Sequence, residues 1–158
     1  MKRILIAVDD TKGTKAAVAT FSDFCKCLGA SELVLVYVEK FEGRSLMDEM
    51  LGEPELSTLR EAVKTTDLQS VLDRKAERIF SFYRSALEQA GLGSVRTILR
   101  SGHPAEEILA AAREEKADMI LIGSRASRST HRFMGSVSRE VADQATVPVL
   151  LVRNQAQP

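Results

Sequence analysis

The chain has little cysteine and no tryptophan: two Cys and eight aromatic residues (six Phe, two Tyr) in 158. Cys25 and Cys27 stand two apart in a helical stretch and point to different sides, which does not suit a disulfide. A metal site needs further ligands, and the two histidines, His103 and His131, are far away in sequence. Two small apolar residues in a reducing compartment is the expectation for the pair. Without tryptophan and with 5% aromatics, no base-stacking platform for single-stranded nucleic acid is suggested. Lys+Arg and Asp+Glu both total 22, so no net charge draws the chain to nucleic acid or an anionic membrane. Long apolar runs are missing too. The longest, residues 33–38 and 147–152, span six residues, against about 18 for a membrane helix. The start, Lys2-Arg3-Ile4-Leu5-Ile6-Ala7-Val8 followed by two acids, is too short in its apolar part for a signal peptide. It reads as a cytoplasmic N-terminus that is already the first strand.

What is present is a regular alternation. Five β-rich runs cover residues 3–9, 32–39, 95–100, 118–123 and 147–153. Four are nearly continuous aliphatic stretches, as expected of strands buried on both faces. The run at 95–100 is mixed, as an outer strand would be. Between the runs lie helical patterns. Ala17, Val18, Phe21, Phe24, Cys25 and Leu28 recur at 3/4 spacing, with Gly29 as a stop. A longer stripe runs from Leu72 to Ala90 and ends at Gly91. Residues 105–116 follow Pro104, which suits a first helical position. A last helix is expected over residues 136–144. The order βαβαβαβαβ implies an α/β domain with a doubly wound parallel sheet and helices on both faces. Length and composition give a single domain over residues 1–153, with 154–158 as a C-terminal tail. Residues 40–66 form an unusually long connection with two glycines and a proline. One or two short helices are expected there. A passive insertion, a lid and a partner-binding flap are the readings open.

Ligands of open α/β sheets bind beyond the carboxyl ends of the strands, where strand order reverses. Two strand ends are informative. The first strand ends at Asp9, a carboxylate able to accept hydrogen bonds from an amino group or sugar hydroxyls, or to enter a helix as a turn residue. The fourth ends at Gly123, and a segment containing Arg125, Arg128 and Arg132 leads to Gly135-Ser136-Val137-Ser138 at a helix start. Between Asp118 and Glu140 every charged residue is an arginine, counting Arg139. A helix N-terminus with glycine, serine and nearby cations suits phosphate. A solvated loop with a serine cap is the plainer alternative. His103 is expected to cap the helix that Pro104 opens, with facing a ligand as the alternative, and His131 to be solvated. No Walker-type phosphate loop, nucleophile elbow or zinc-protease motif occurs.

These segments resemble the universal stress protein family of the single-domain UspA type. The resemblance rests on Ile4-Leu5-Ile6-Ala7-Val8-Asp9, residues 33–38, Gly102-His103-Pro104-Ala105-Glu106-Glu107-Ile108, residues 117–125, Gly135-Ser136-Val137-Ser138 and residues 147–152. It implies a five-stranded parallel sheet in the order 3-2-1-4-5, with Asp9 and Gly123 side by side at the switch point. It implies ATP or a related adenine nucleotide as ligand, with or without Mg²⁺, held by Asp9, Val38, Gly123, Arg125, Gly135, Ser136, Val137 and Ser138. It also implies a role in stress response without efficient catalysis, and a homodimer through the edge strand 147–153, with further protein partners unnamed. ATP-binding members carry Gly, two residues, Gly, nine residues, then Gly-Ser or Gly-Thr. Here the second glycine is Ala126, and eight residues separate it from Gly135. If that position needs a positive φ, alanine costs roughly 1–2 kcal/mol, worth about tenfold in affinity. A dimeric interaction module of the same fold that has lost ATP binding is therefore the alternative.

Overall fold

A computed structural model describes residues 2–40, 67–124 and 134–153. In chain order these form β1 (Arg3–Ala7), α1 (Lys12–Cys27), β2 (Glu32–Glu39), α2 (Asp67–Gln89), β3 (Ser94–Ser101), α3 (Pro104–Glu114), β4 (Met119–Ser124), α4 (Ser136–Gln144) and β5 (Val149–Arg153). The five strands are all parallel and lie in the order β3-β2-β1-β4-β5. This is the α/β sheet that the alternation predicts, in the order that the resemblance implies. The expected insertion after Lys40 and the tail 154–158 lie outside the described residues.

The aliphatic runs are explained by burial on two sides. Ile4, Ile6, Leu33, Leu35 and Leu121 face one core with Phe21 of α1 and Tyr83 of α2. Leu5, Val34, Val36, Ile120 and Ile122 face the other, with Ile108 and Leu109 of α3 and Val141 of α4. Each fully buried Leu or Ile contributes about 1.5–3 kcal/mol of transfer free energy. β3 is an edge strand, and its mixed composition matches its partial exposure.

One boundary and one side chain differ from the sequence reading for physical reasons. β5 begins at Val149, not at residue 147. Pro148 has no N–H for the ladder, although its carbonyl still accepts the Ile120 N–H at 2.9 Å. α1 begins at Lys12, where Thr11 caps the helix by accepting the Thr14 N–H at 3.3 Å. Phe24, assigned to the apolar stripe of α1, is 41% exposed. The buried face runs through Thr14, Ala17, Phe21 and Cys25, and Phe24 lies at its margin.

α1, α2 and α3 end alike. After each, one N–H reaches back three residues and the next reaches back five: Gly29 to Lys26 and Ala30 to Cys25, Gly91 to Glu88 and Leu92 to Leu87, Lys116 to Arg113 and Ala117 to Ala112. This double closure requires a left-handed residue. Gly29 and Gly91 supply it with φ of 60° and 75°, and Lys116 does so with φ of 51°.

Candidate functional site

Strand order reverses between β1 and β4, and a cleft opens at their carboxyl ends. Its walls are apolar: Ala7, Val36 and Val38 from β1 and β2, Ile108 from α3 and Ile122 from β4. Asp9, Thr14, Lys40 and Gly123 come from the strand ends and α1, and Gly135, Ser136, Val137 and Ser138 from the start of α4. Asp9 is the one carboxylate among these lining residues.

Asp9 is held in place. The N–H and hydroxyl of Thr11 both donate to its Oδ1, at 2.8 and 2.6 Å. Thr11 thereby ties the carboxylate to the helix it caps. Beneath it, the Tyr83 hydroxyl donates to the Asp9 carbonyl at 3.0 Å. Burial, followed by the nearby charges of Asp9 and Asp10, raises the pKa of that phenol, so it stays a neutral donor.

Gly123 works by its size. A Cβ there would lie 2.9 Å from Thr14 Oγ1 and 3.4 Å from Thr14 Cα. The missing side chain lets the first turn of α1 press against the end of β4. Across the cleft, the Ser138 hydroxyl donates to the Gly123 carbonyl at 3.1 Å. Ser138 is buried, so its hydroxyl fastens α4 to β4 while its main chain stays at the helix start.

The N-terminus of α4 has Gly135 at the cap position, and no side chain caps it. The serine cap of the plainer reading is therefore absent. An uncapped helix end offers free N–H groups and the positive end of the helix dipole, which favour an anion. The cleft thus joins apolar walls suited to a flat ring, one oriented carboxylate and an anion-favouring helix end.

The structure brings together Asp9, Val38, Gly123, Gly135, Ser136, Val137 and Ser138 around this one cleft. Arg125, Ala126, Arg128, His131 and Arg132 lie outside the described residues. The capping expectation for His103 is corrected. The residue occupies the cap position of α3 but makes no side-chain cap. Its Nε2 instead stands 3.8 Å from Glu140 Oε2 on α4. An imidazole is too bulky to fold back as a short Ser or Asp side chain does. Sequence reasoning missed Lys40 and Thr14 as lining residues. For Lys40 the signal was its place just beyond a strand tip; for Thr14 there was none, because only packing against Gly123 puts it there.

Elsewhere, Cys25 and Cys27 are free thiols, and burial pushes the Cys25 pKa up to about 11. Among the described residues no three His, Cys, Asp or Glu side chains are grouped to hold a metal ion, and no helix is long and apolar enough to cross a membrane.

Comparison with known proteins now decides the family. The model of the universal stress protein family matches residues 1–153. The chain belongs to the universal stress protein family. A universal stress protein of Thermus aquaticus, encoded in the 3′ region of a QAH/OAS sulfhydrylase, is 35% identical over 153 residues, which cover 96% of this chain and 98% of the relative. The solved structure of MJ0577, a universal stress protein of Methanocaldococcus jannaschii, superposes with a TM-score of 0.75 at 27% identity, covering 99% and 98% of the two chains. A universal stress protein from Archaeoglobus fulgidus, solved in complex with dAMP, shares the fold at a TM-score of 0.62 and 21% identity, covering 97% and 98%.

Proposed function

We propose that this universal stress protein binds an adenine nucleotide, ATP in the first instance, in the strand-tip cleft and signals through partners rather than by turnover. The observation that carries the reading is the pairing of the Thr11-oriented Asp9 carboxylate with the uncapped start of α4 across one apolar cleft. Val38 and Asp9 would flank the adenosine, with the carboxylate accepting from the adenine amino group or ribose hydroxyls. The main chain of Ser136, Val137 and Ser138 would receive the phosphates, with Gly123 and Gly135 giving close approach and Arg125 adding charge. The dAMP-bound relative supports the class of ligand, an adenylate.

The residues fit a nucleotide better than they fit an enzyme. Among the described residues a single lining carboxylate offers no acidic pair for Mg²⁺, so the metal would arrive on the phosphates. Among the described residues no activated nucleophile or positioned base faces the cleft. Efficient catalysis is not part of the proposal.

The test has two steps. Denatured, freshly purified protein is searched by mass spectrometry for released nucleotide, and stripped protein is titrated with ATP by calorimetry. Retained adenylate or saturable heat supports the reading. Neither, up to millimolar ATP, favours the interaction module, the reading that Ala126 and the eight-residue spacing suggest.

The proposal extends to a cytoplasmic homodimer. β5 is a sheet edge whose Val149, Leu150 and Leu151 are only partly buried. A second copy pairing along it would satisfy the ladder and cover these side chains. Sedimentation equilibrium giving twice the chain mass would support this, and a monomer at all concentrations would refute it.

A further inference from the structure

At the opposite end of the sheet from the strand-tip cleft lies a second cavity of about 140 Å³. It shares no residue with the first. Leu109, Ala112, Ala117, Ile120 and Val147 supply apolar lining, and Arg113 and Lys116 add two cations. Gln144 and Thr146 complete it. A protein cavity of roughly 150 Å³ admits benzene.

Two observations point to an anionic group on whatever enters. The first is that the nearby acids are already engaged. Glu114 pairs with Arg100, Glu115 pairs with Arg96, and Asp118 accepts the main-chain N–H groups of Lys2 and Arg3. Among the described residues, Arg113 and Lys116, both exposed to solvent, have no ion pair or side-chain hydrogen bond.

The second is the backbone of Lys116. It fills the left-handed position at which α1 and α2 use Gly29 and Gly91, with the same pair of closing hydrogen bonds. It is the one residue other than glycine with positive φ among those described. A strained residue at a cavity wall is a pointer to function. Offsetting the helix dipole does not require it, because Arg113 already stands in the last turn of α3.

We infer that this cavity is a second ligand site for a small organic monocarboxylate of about benzoate size, its ring or branched chain against Leu109, Ile120 and Val147 and its carboxylate at Arg113 and Lys116. A carboxylate matches the fork of a guanidinium. The apolar lining disfavours a fully hydrated inorganic anion.

The experiment titrates the full-length protein with 4-fluorobenzoate, followed by ¹⁹F NMR and by ¹⁵N amide shifts. Saturation in the millimolar range is expected, with shifts at residues 112–117 and 144–147. The neutral isostere 4-fluorobenzamide and inorganic phosphate should each bind at least about tenfold more weakly, the difference a charge-assisted hydrogen bond makes. Lys116→Gly, which suits the backbone, should weaken 4-fluorobenzoate about tenfold while leaving the denaturation midpoint unchanged or higher. Arg113→Gln is the second variant, with the same expected loss. Equal binding of benzoate and benzamide, unchanged affinity in both variants, shifts confined to other residues, or a change of oligomeric mass in Lys116→Gly would each overturn the inference.

Discussion

Thr14 Oγ1 occupies the space in which Gly123 would carry a side chain, 2.9 Å from where its Cβ would sit. The first turn of α1 and the tip of β4 are therefore seated on each other, and both residues line the cleft. Thr14 is 4% exposed and its Cα lies 3.4 Å from the same point, so rotating the hydroxyl away relieves only part of the clash.

Gly123→Ala is expected to destabilise the fold by about 1–3 kcal/mol, the usual cost of overpacking. Urea denaturation measures it. Adding Thr14→Ala, which removes the nearest atom, should recover part of the loss. Independent, additive effects of the two substitutions would contradict the contact.

Ser138→Ala removes the part-buried hydrogen bond to the Gly123 carbonyl, which costs about 0.5–1.5 kcal/mol. Ser136→Ala, at an exposed position on the same helix end, should change stability by no more than about 0.5 kcal/mol. Denaturation midpoints of the two variants, compared side by side, check this.

Thr11→Val removes both a helix cap and the hydroxyl that orients Asp9. A loss of about 1 kcal/mol in stability follows from the cap. Affinity for ATP should fall further than the stability loss explains, toward that of Asp9→Asn. Calorimetry on Thr11→Val, Asp9→Asn and the double variant distinguishes the two effects. A double variant weaker by the full product of both single losses would show that Thr11 does not act through Asp9.

Glu39 gives the pH dependence. It is 4% exposed, and its Oε1 has no hydrogen-bond partner. Burial, and then the charge of Asp73, raises its pKa above the ordinary 4.5. A raised carboxyl pKa means that the folded state binds the proton more tightly than the unfolded chain does. The favourable contribution is complete below pH 4.5 and is lost as pH rises through the folded value. Glu39→Gln is thus expected to be more stable than the parent at pH 7 and to lose that advantage near pH 4. Denaturation midpoints across that range measure it, and a gain independent of pH would contradict the assignment.

The sheet was legible because strands buried on both faces leave nearly unbroken aliphatic runs, as in residues 33–36, and because β3 at the edge does not. Burial by helices follows a stripe with margins, so Phe24 could be misplaced by one position. Hydropathy alone starts β5 at residue 147, because it does not register that Pro148 lacks a donor. At the site, Asp9 and the Gly-Ser pair at 135–136 were readable, because strand tips and helix starts have characteristic residues. The partners that hold them were less so. Tyr83 reaches Asp9 across 74 residues and Ser138 reaches Gly123 across 15. Thr14 enters the cleft only through close packing against a glycine, which linear spacing does not encode. His103 stands where a cap was expected but is of the wrong shape to make one.

The most direct measurement is an ATP titration of the ¹⁵N-labelled protein with amide shifts assigned along the chain. Saturable shifts at Asp9, Val38, Gly123 and residues 135–138 together, abolished by Asp9→Asn, are the result predicted here. No shifts at millimolar ATP, or shifts that leave the start of α4 untouched, would contradict the account.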